Sequence, residues 1–299
     1  MNGVDWALQE QEILENSLAT RKYEKHYWVD NVRGSSGGPG TYQQPYAQPS
    51  QAIAAWVAYL ATLPNIYRRA CIHVIGTGTA YTALTSLPAY MGADIIGEGA
   101  PANGNGTGIA IIGVNGADGI TGAATRSMGL FNLQIRSGGS FWCLDVGNLL
   151  RSVIQDCHFM ANVAAPDGGI RLTDASGGCR ILHNTWGGDN LQHPKVGIQL
   201  SGANFDNSLV EDNVIIGTTA GVLVDAACVK GDLTVFRRNH IGDGGHGCTT
   251  AIDDNATTGT IMYDGNYVMG DALITCVHNG AARVHGNMSA NAFVAVTAS

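Results

Sequence analysis

The feature that most constrains this chain is a six-residue pattern that recurs seven times from residue 130 onward. Each copy starts with an apolar residue and nearly always ends with one, and its fourth residue is Asn in five of the seven. The first four copies are Leu130-Phe131-Asn132-Leu133-Gln134-Ile135, Ile154-Gln155-Asp156-Cys157-His158-Phe159, Ile181-Leu182-His183-Asn184-Thr185-Trp186 and Val210-Glu211-Asp212-Asn213-Val214-Ile215. The others are Phe236-Arg237-Arg238-Asn239-His240-Ile241, Tyr263-Asp264-Gly265-Asn266-Tyr267-Val268 and Val284-His285-Gly286-Asn287-Met288-Ser289, the last ending on a polar residue. The fourth residues are spaced by 24, 27, 29, 26, 27 and 21. A second apolar burst follows each copy, at 142–146, 169–172, 197–200, 221–224, 251–252, 272–274 and 293–296.

A period of this size holding only strands and turns predicts a parallel β-helix, whose coils stack about 4.8 Å apart through backbone hydrogen bonds. Variation in coil length then belongs to the loops. Asn184, Asn213, Asn239, Asn266 and Asn287 fall in one column. A buried Asn at a bend can satisfy turn backbone groups and bond to its neighbour in the stack, so these five are expected to form a structural ladder. A leucine-rich repeat is excluded because no LxxLxLxxN block occurs.

Composition agrees. The 299 residues include 41 Gly and 21 Asn, and charged residues make up 13%, against about 25% in ordinary globular domains. So few charges exclude a coiled coil or a long helical bundle. An apolar share of 45% excludes wholesale disorder. A net charge of −8 with four Lys gives no basic footprint, so nucleic acid is not an expected partner. The seven cysteines are odd in number and form no CxxC, which predicts buried free thiols in a protein made in a reducing cytosol. No Cys/His pair stands at zinc-finger spacing, so neither a metal nor another cofactor is expected.

Residues 1–26 carry the densest charge. Val4, Leu8, Ile13, Leu14 and Leu18 form an apolar stripe, with Glu10, Glu12 and Glu15 ahead of Arg21, Lys22 and Lys25. This predicts an amphipathic helix that docks onto a partner or joins a small oligomer, or else caps the end of the following domain. The segment has no basic n-region or apolar h-region, and no stretch of the chain reaches about 18 apolar residues. Neither a signal peptide nor a membrane span is therefore expected. Downstream, residues 27–30 read as a strand and 34–50 as turns. Residues 51–63 read as a helix with Ser50 as N-cap and Pro64 closing it.

The block YWVDNVRGSSGGPGTYQQPYAQPSQAIA, residues 27–54, resembles the entry segment of pectate-lyase-like right-handed β-helices of bacteriophage tailspikes and related virion proteins. In that family a Val-Asp strand leads into a Gly-rich turn, then Pro-aromatic-Ala, then a helix that plugs the first coil. Here these are 27–30, 34–40, Pro45-Tyr46-Ala47 and 51–63. The likeness continues through 72–75 and 95–99 and covers roughly 27–299. It implies an all-β, single-stranded right-handed parallel β-helix: residues 27–70 as entry strand, turn and capping helix, and 71–299 as coils. It further implies a homotrimeric virion component, made in the host cytoplasm, held to other virion proteins by residues 1–26 and presenting its shaft to host-surface polysaccharide. Relative to longer tailspikes, neither a sizeable head-binding domain nor a C-terminal trimerisation domain is expected. The rival expectation is a polysaccharide depolymerase, a glycoside hydrolase or lyase of the same superfamily.

Glycan hydrolysis requires two carboxylates about 5–5.5 Å or 6.5–9.5 Å apart. Two outward columns precede the Asn column. Gln155, Leu182, Glu211, Arg237, Asp264 and His285 form one; Asp156, His183, Asp212, Arg238, Gly265 and Gly286 form the other. Opposite charges on neighbouring coils predict surface ladders worth a few tenths of a kcal/mol per pair. Asp156, His183 and Asp212 remain as the candidate catalytic or cation-binding triplet if the chain is an enzyme. Asp167, Asp189, His193, Asp243, His246, Asp253 and Asp254 stand in or beside longer loops. Gly245-His246-Gly247 and Asp253-Asp254 occur in the reverse of the polygalacturonase order, without the Arg-x-Lys of that family. Trp28, Trp142, Trp186, Tyr263 and Tyr267 look scattered rather than arranged as a sugar platform, and Trp186 falls in an inward slot.

Overall fold

The computed structural model describes residues 23–64, 68–102, 108–113, 116–161, 167–187, 193–202, 204–228, 233–242, 248–256, 261–276 and 284–289. The predicted docking stripe (Val4, Leu8, Ile13, Leu14, Leu18) lies outside the described residues, as do Asp189, Asp243, His246 and the burst at 293–296. The chain forms a parallel β-solenoid of about six turns with one helix among the described residues. Among the described residues the strands segregate into three sheets of ten, eight and nine strands, and all the pairings there are parallel. No described helix is long and apolar enough to cross a membrane.

Each copy of the pattern supplies one strand to the first sheet, bends, and supplies one to the second; after the first six copies the apolar burst that follows supplies the third. Ile154-Gln155 closes a first-sheet strand, His158–Ala161 lies in the second sheet, and Gly168–Leu172 in the third. Register is held coil after coil. Leu130, Ile154, Ile181, Val210, Phe236 and Tyr263 align across the first sheet and are fully buried. A buried side chain of this kind contributes about 1.5–3 kcal/mol.

The entry strand is Lys25–Val29, so residues 25 and 26 belong to the first sheet and not to an N-terminal helix. Their partners are Ala70 and Cys71. The single helix, α1, spans Pro49–Leu60 rather than 51–63, and Gln48 rather than Ser50 is its N-cap. Pro49 pre-sets the backbone of the first helical position, and the Gln51 side chain accepts from the Gln48 N–H at 2.9 Å. The C-terminal end tightens into three-residue turns (Thr62 N–H to Tyr59 O, Leu63 N–H to Leu60 O), so the helix is finished before Pro64. Ala52, Ile53, Trp56 and Leu60 face the first coils, and Trp56 Nε1 donates to Met91 O at 2.7 Å.

The bend between the first and second sheets explains the repeat chemically. Asn184, Asn213, Asn239, Asn266 and Asn287 are all buried. Each of the first four donates Nδ2–H to the Oδ1 of the next Asn at 2.8–3.0 Å, and that same Oδ1 accepts the donor's backbone N–H. Each of the five also donates to a carbonyl one coil back: Ile154, Ile181, Val210, Phe236 and Tyr263. An interior member therefore fills both donor and both acceptor positions of its amide.

The third residue of every copy, the one before the ladder column, is left-handed: φ is 50° at Asn132, 54° at Asp156, 53° at His183, 54° at Asp212, 52° at Arg238, 61° at Gly265 and 60° at Gly286. Gly265 and Gly286 adopt this conformation freely, while the side chains at the other positions accept a modest cost. The second bend, from the third sheet back to the first, has its own hydroxyl ladder. Met128 N–H donates to Ser152 Oγ, Cys179 N–H to Ser208 Oγ and Ser208 N–H to Thr234 Oγ1.

Candidate functional site

The third sheet carries the groove. Strands Ile120–Arg126 and Trp142–Leu150 pair side by side, and alternation turns Thr121, Asp145, Arg171 and Gln199 outward in one column. An open groove of about 550 Å³ lies against Thr121 and Asp145 of this column, lined also by Ser86, Gly147, Thr173 and Asp174 among others. Gly122, Ala123 and Gly147 keep its floor low; hydroxyls and carboxylates supply its polar groups.

Both acids are engaged. Asp145 accepts from Arg171 with both oxygens (Nε 3.0 Å, Nη2 2.5 Å), and the Arg171 guanidinium rests over the Trp142 ring at 5.1 Å. This pairing raises the Arg171 pKa. Asp174 Oδ1 accepts from the Ala175 N–H at 2.7 Å. The polar column continues with Gln199 Nε2 donating to Asp225 Oδ2 at 2.9 Å. Such a lining can exchange hydrogen bonds with a polyhydroxylated chain. Arg171 thus occupies both oxygens of Asp145.

The candidate triplet sits elsewhere, at the left-handed corner between the first and second sheets. The fold places Asp156, His183 and Asp212 in one row. His183 Nδ1 lies 3.9 Å from Asp156 Oδ1, and Nε2 lies 3.6 Å from Asp212 Oδ2. Two coils separate the acids, roughly 9–10 Å of backbone at about 4.8 Å per coil. The corner is solvated, with side chains 55%, 53% and 34% exposed in that order. Arg238 grips Asp212 with two hydrogen bonds of 3.0 Å and holds its carboxyl below the usual range. Asp212 is therefore suited to stay anionic rather than to act as a general acid. Glu211, mostly buried, pairs with both Arg237 and Arg238, which makes this surface a continuous charge ladder.

Other sequence candidates resolve structurally. Asp254 is buried and accepts from Tyr263 Oη and the Ala256 N–H, both at 3.0 Å. Asp253 faces outward on the third sheet. Asp167 pairs with Lys195 at 2.6 Å, and His193 is buried. Trp186 is core, stacked on Phe159 at 4.8 Å.

One cluster escaped the sequence reading. On the outer face of the first coils, Trp28 stacks on His73 at 4.1 Å and meets the edge of Tyr42 at 4.9 Å. His26 Nδ1 lies 3.0 Å from His73 Nε2, and His73 Nδ1 lies 2.6 Å from Glu98 Oε1. A centroid separation of 5.3 Å at 17° between the imidazoles means the rings meet edge to edge in nearly one plane, nitrogen facing nitrogen. Cys71 Sγ lies 3.9 Å from His73 Nδ1. Burial, with Asp94 and Glu98 nearby, pushes the Cys71 thiol up to about 12; burial and His73 lower the His26 pKa. The signal was present as Cys71-Ile72-His73. On a strand the i and i+2 side chains share a face, whereas zinc-finger spacing is sought at i and i+3. His26 is not visible from local sequence, because only strand pairing brings it opposite Cys71.

No family model and no curated protein matches the chain. Among solved structures, it is similar to two crystal structures of GH136 lacto-N-biosidase from Eubacterium ramulus, one native and one a selenomethionine derivative. The selenomethionine form shares 11% identity and aligns over 95% of this chain and 68% of its own, with a TM-score of 0.28. The native form shares 12% identity over 94% and 67%, with the same TM-score. Superposition this loose transfers neither residue roles nor activity.

Proposed function

We propose that the chain is a rigid β-helical shaft that binds host-surface polysaccharide along the third-sheet groove, as a short virion spike, head fibre or decoration protein does. The observation that carries the binding reading is the lining of the groove: hydroxyls over a floor of small residues, with both acids already engaged by protein donors. Such a surface suits recognition of sugar hydroxyls better than bond cleavage. The virion assignment, with docking through residues 1–26 and assembly as a homotrimer, rests on the resemblance of the entry segment.

The test is to titrate purified protein with host capsular or lipopolysaccharide by calorimetry while assaying for new reducing ends and unsaturated products. Binding without products, weakened at least tenfold by Asp145→Asn or Thr121→Ala, supports the proposal. Deletion of residues 1–22, which spares the entry strand, should abolish incorporation into particles while leaving the β-helix folded by circular dichroism; truncated protein that still assembles sinks the docking assignment.

The depolymerase reading keeps one observation in its favour, the imidazole of His183 between two carboxylates. Cleavage that disappears in Asp156→Asn, His183→Ala or Asp212→Asn would replace the binding reading with that one.

A further inference from the structure

We propose that His26, Cys71 and His73 form a binding site for a zinc-class divalent cation that staples the entry strand to the solenoid. The ligand atoms of these three residues all lie within 4.8 Å of one another. Pairing sets His26 directly opposite Cys71, and alternation places His73 on the same face as Cys71.

The separations match the chemistry. Two nitrogens each about 2.0–2.1 Å from one zinc stand roughly 3.3 Å apart in a tetrahedral site, and a thiolate at about 2.3 Å stands only slightly farther from either. His26 Nδ1 and His73 Nε2 are 3.0 Å apart and already point at each other in nearly one plane. A metal would sit to one side of the N···N line, so binding requires the imidazoles to tilt until both lone pairs converge on it and the Cys71 thiol, now 3.9 Å from the His73 nitrogen that meets Glu98, to turn toward the same point.

The surroundings are those of a metal ligand. The other nitrogen of His73 meets Glu98 Oε1 at 2.6 Å, the carboxylate–imidazole arrangement that fixes tautomer and ring orientation behind a metal. Trp28 stacks on the His73 ring at 12° and 4.1 Å and holds its plane. Cys71 is buried whereas His26 is exposed, so the thiol is shielded on the protein side and a fourth position opens toward solvent on the imidazole side. One soft sulfur with two imidazoles favours zinc, or cobalt as its spectroscopic substitute, over calcium or magnesium.

The proton balance is simple. Cys71 releases its thiol proton on binding. The proton between the two imidazoles leaves Nδ1 of His26 for its own Nε2, so both rings remain neutral ligands and one proton is released per metal.

The experiment uses the full chain, stripped with a chelator and titrated with Co²⁺ and then Zn²⁺. The expected result is one Co²⁺ per chain with thiolate charge-transfer absorption and tetrahedral d–d bands, displaced by Zn²⁺, with release of one proton. Cys71→Ser should abolish the charge-transfer band, and His26→Asn, at an exposed position, should weaken binding at least a hundredfold. Glu98→Gln should weaken it 10–100-fold, as loss of an outer-shell partner does. Absence of stoichiometric Co²⁺ binding, or a band that survives in folded Cys71→Ser protein, overturns the site. Binding that persists unchanged in His26→Asn overturns the staple.

Discussion

The outer face of the first sheet changes character along its length although its register does not. One outward column runs Trp28, His73, Ile96 and Phe131 at the N-terminal end, then Gln155, Leu182, Glu211, Arg237 and Asp264. The neighbouring column begins His26, Cys71 and Asp94. The first coils thus wear an aromatic and imidazole layer, with Cys71, Asp94 and Phe131 buried beneath it. The middle coils wear a solvated charge ladder. Inside, the relation is reversed: the middle coils hold the Asn ladder, while the same column toward the N-terminus carries Cys157 and Leu133. A solenoid coil has no core of its own, so each must be fixed by something between neighbours. Here the middle coils use buried amides, and the first coils use α1 and an external layer.

The largest effect should come from breaking the inner device. Asn213→Leu removes both the acceptor used by Asn184 and the donors to Ile181 O and Asn239 Oδ1, and leaves those groups buried. A loss of about 3 kcal/mol is expected from denaturant midpoints. Asn287→Leu, where one neighbour of the ladder is described, should cost visibly less; equal losses would mean that position in the ladder is immaterial.

Next comes the outer device. Trp28→Ala, which removes contacts with His73 and Tyr42, should cost about 2 kcal/mol. Its signature is local: faster amide exchange at Lys25–Val29 and unchanged exchange at Leu209–Glu211. A uniform increase would show that the two regions unfold as one.

Acid sharpens the comparison through His158. Its Nε2–H donates to Gly187 O at 2.8 Å, and Nδ1 faces the Gln134 amide at 3.3 Å, a pattern that suits neutral imidazole. Burial lowers its pKa. The unfolded chain therefore binds the proton more readily, so stability is full above pH of about 6.5 and falls as pH drops below it. His26, lowered in the same direction, adds to this trend. His158→Gln should flatten part of the slope of unfolding free energy between pH 7 and 5; a slope left intact removes His158 from the explanation. The smallest effect belongs to the solvated ladder. Asp212→Asn should cost about 0.5 kcal/mol or less and vanish in high salt.

The solenoid and its bend were readable because the repeat is enforced by one chemical requirement per coil, an amide that saturates its neighbours. The column before it, Asp156, His183 and Asp212, was readable as an outward row. Its left-handed backbone was not, since only Gly265 and Gly286 advertise that conformation. Three things stayed hidden. The hydroxyl ladder mixes Ser152, Ser208 and Thr234 with Cys179, so no single residue type marks it. The groove is made of small and hydroxylated residues from four separate segments. The imidazole–thiol cluster joins His26 to Cys71 across 45 residues, a distance in sequence that only pairing of the entry strand closes.

The Asn ladder also makes the molecule divisible. Its bonds reach one coil forward or back, spanning 21–32 residues, so no coil depends directly on another two steps away. Shortening the shaft at a coil boundary should remove one rung's worth of cooperativity and leave the rest standing. Length, and with it the reach of the shaft, is a quantity such a chain can change in whole increments of about 4.8 Å.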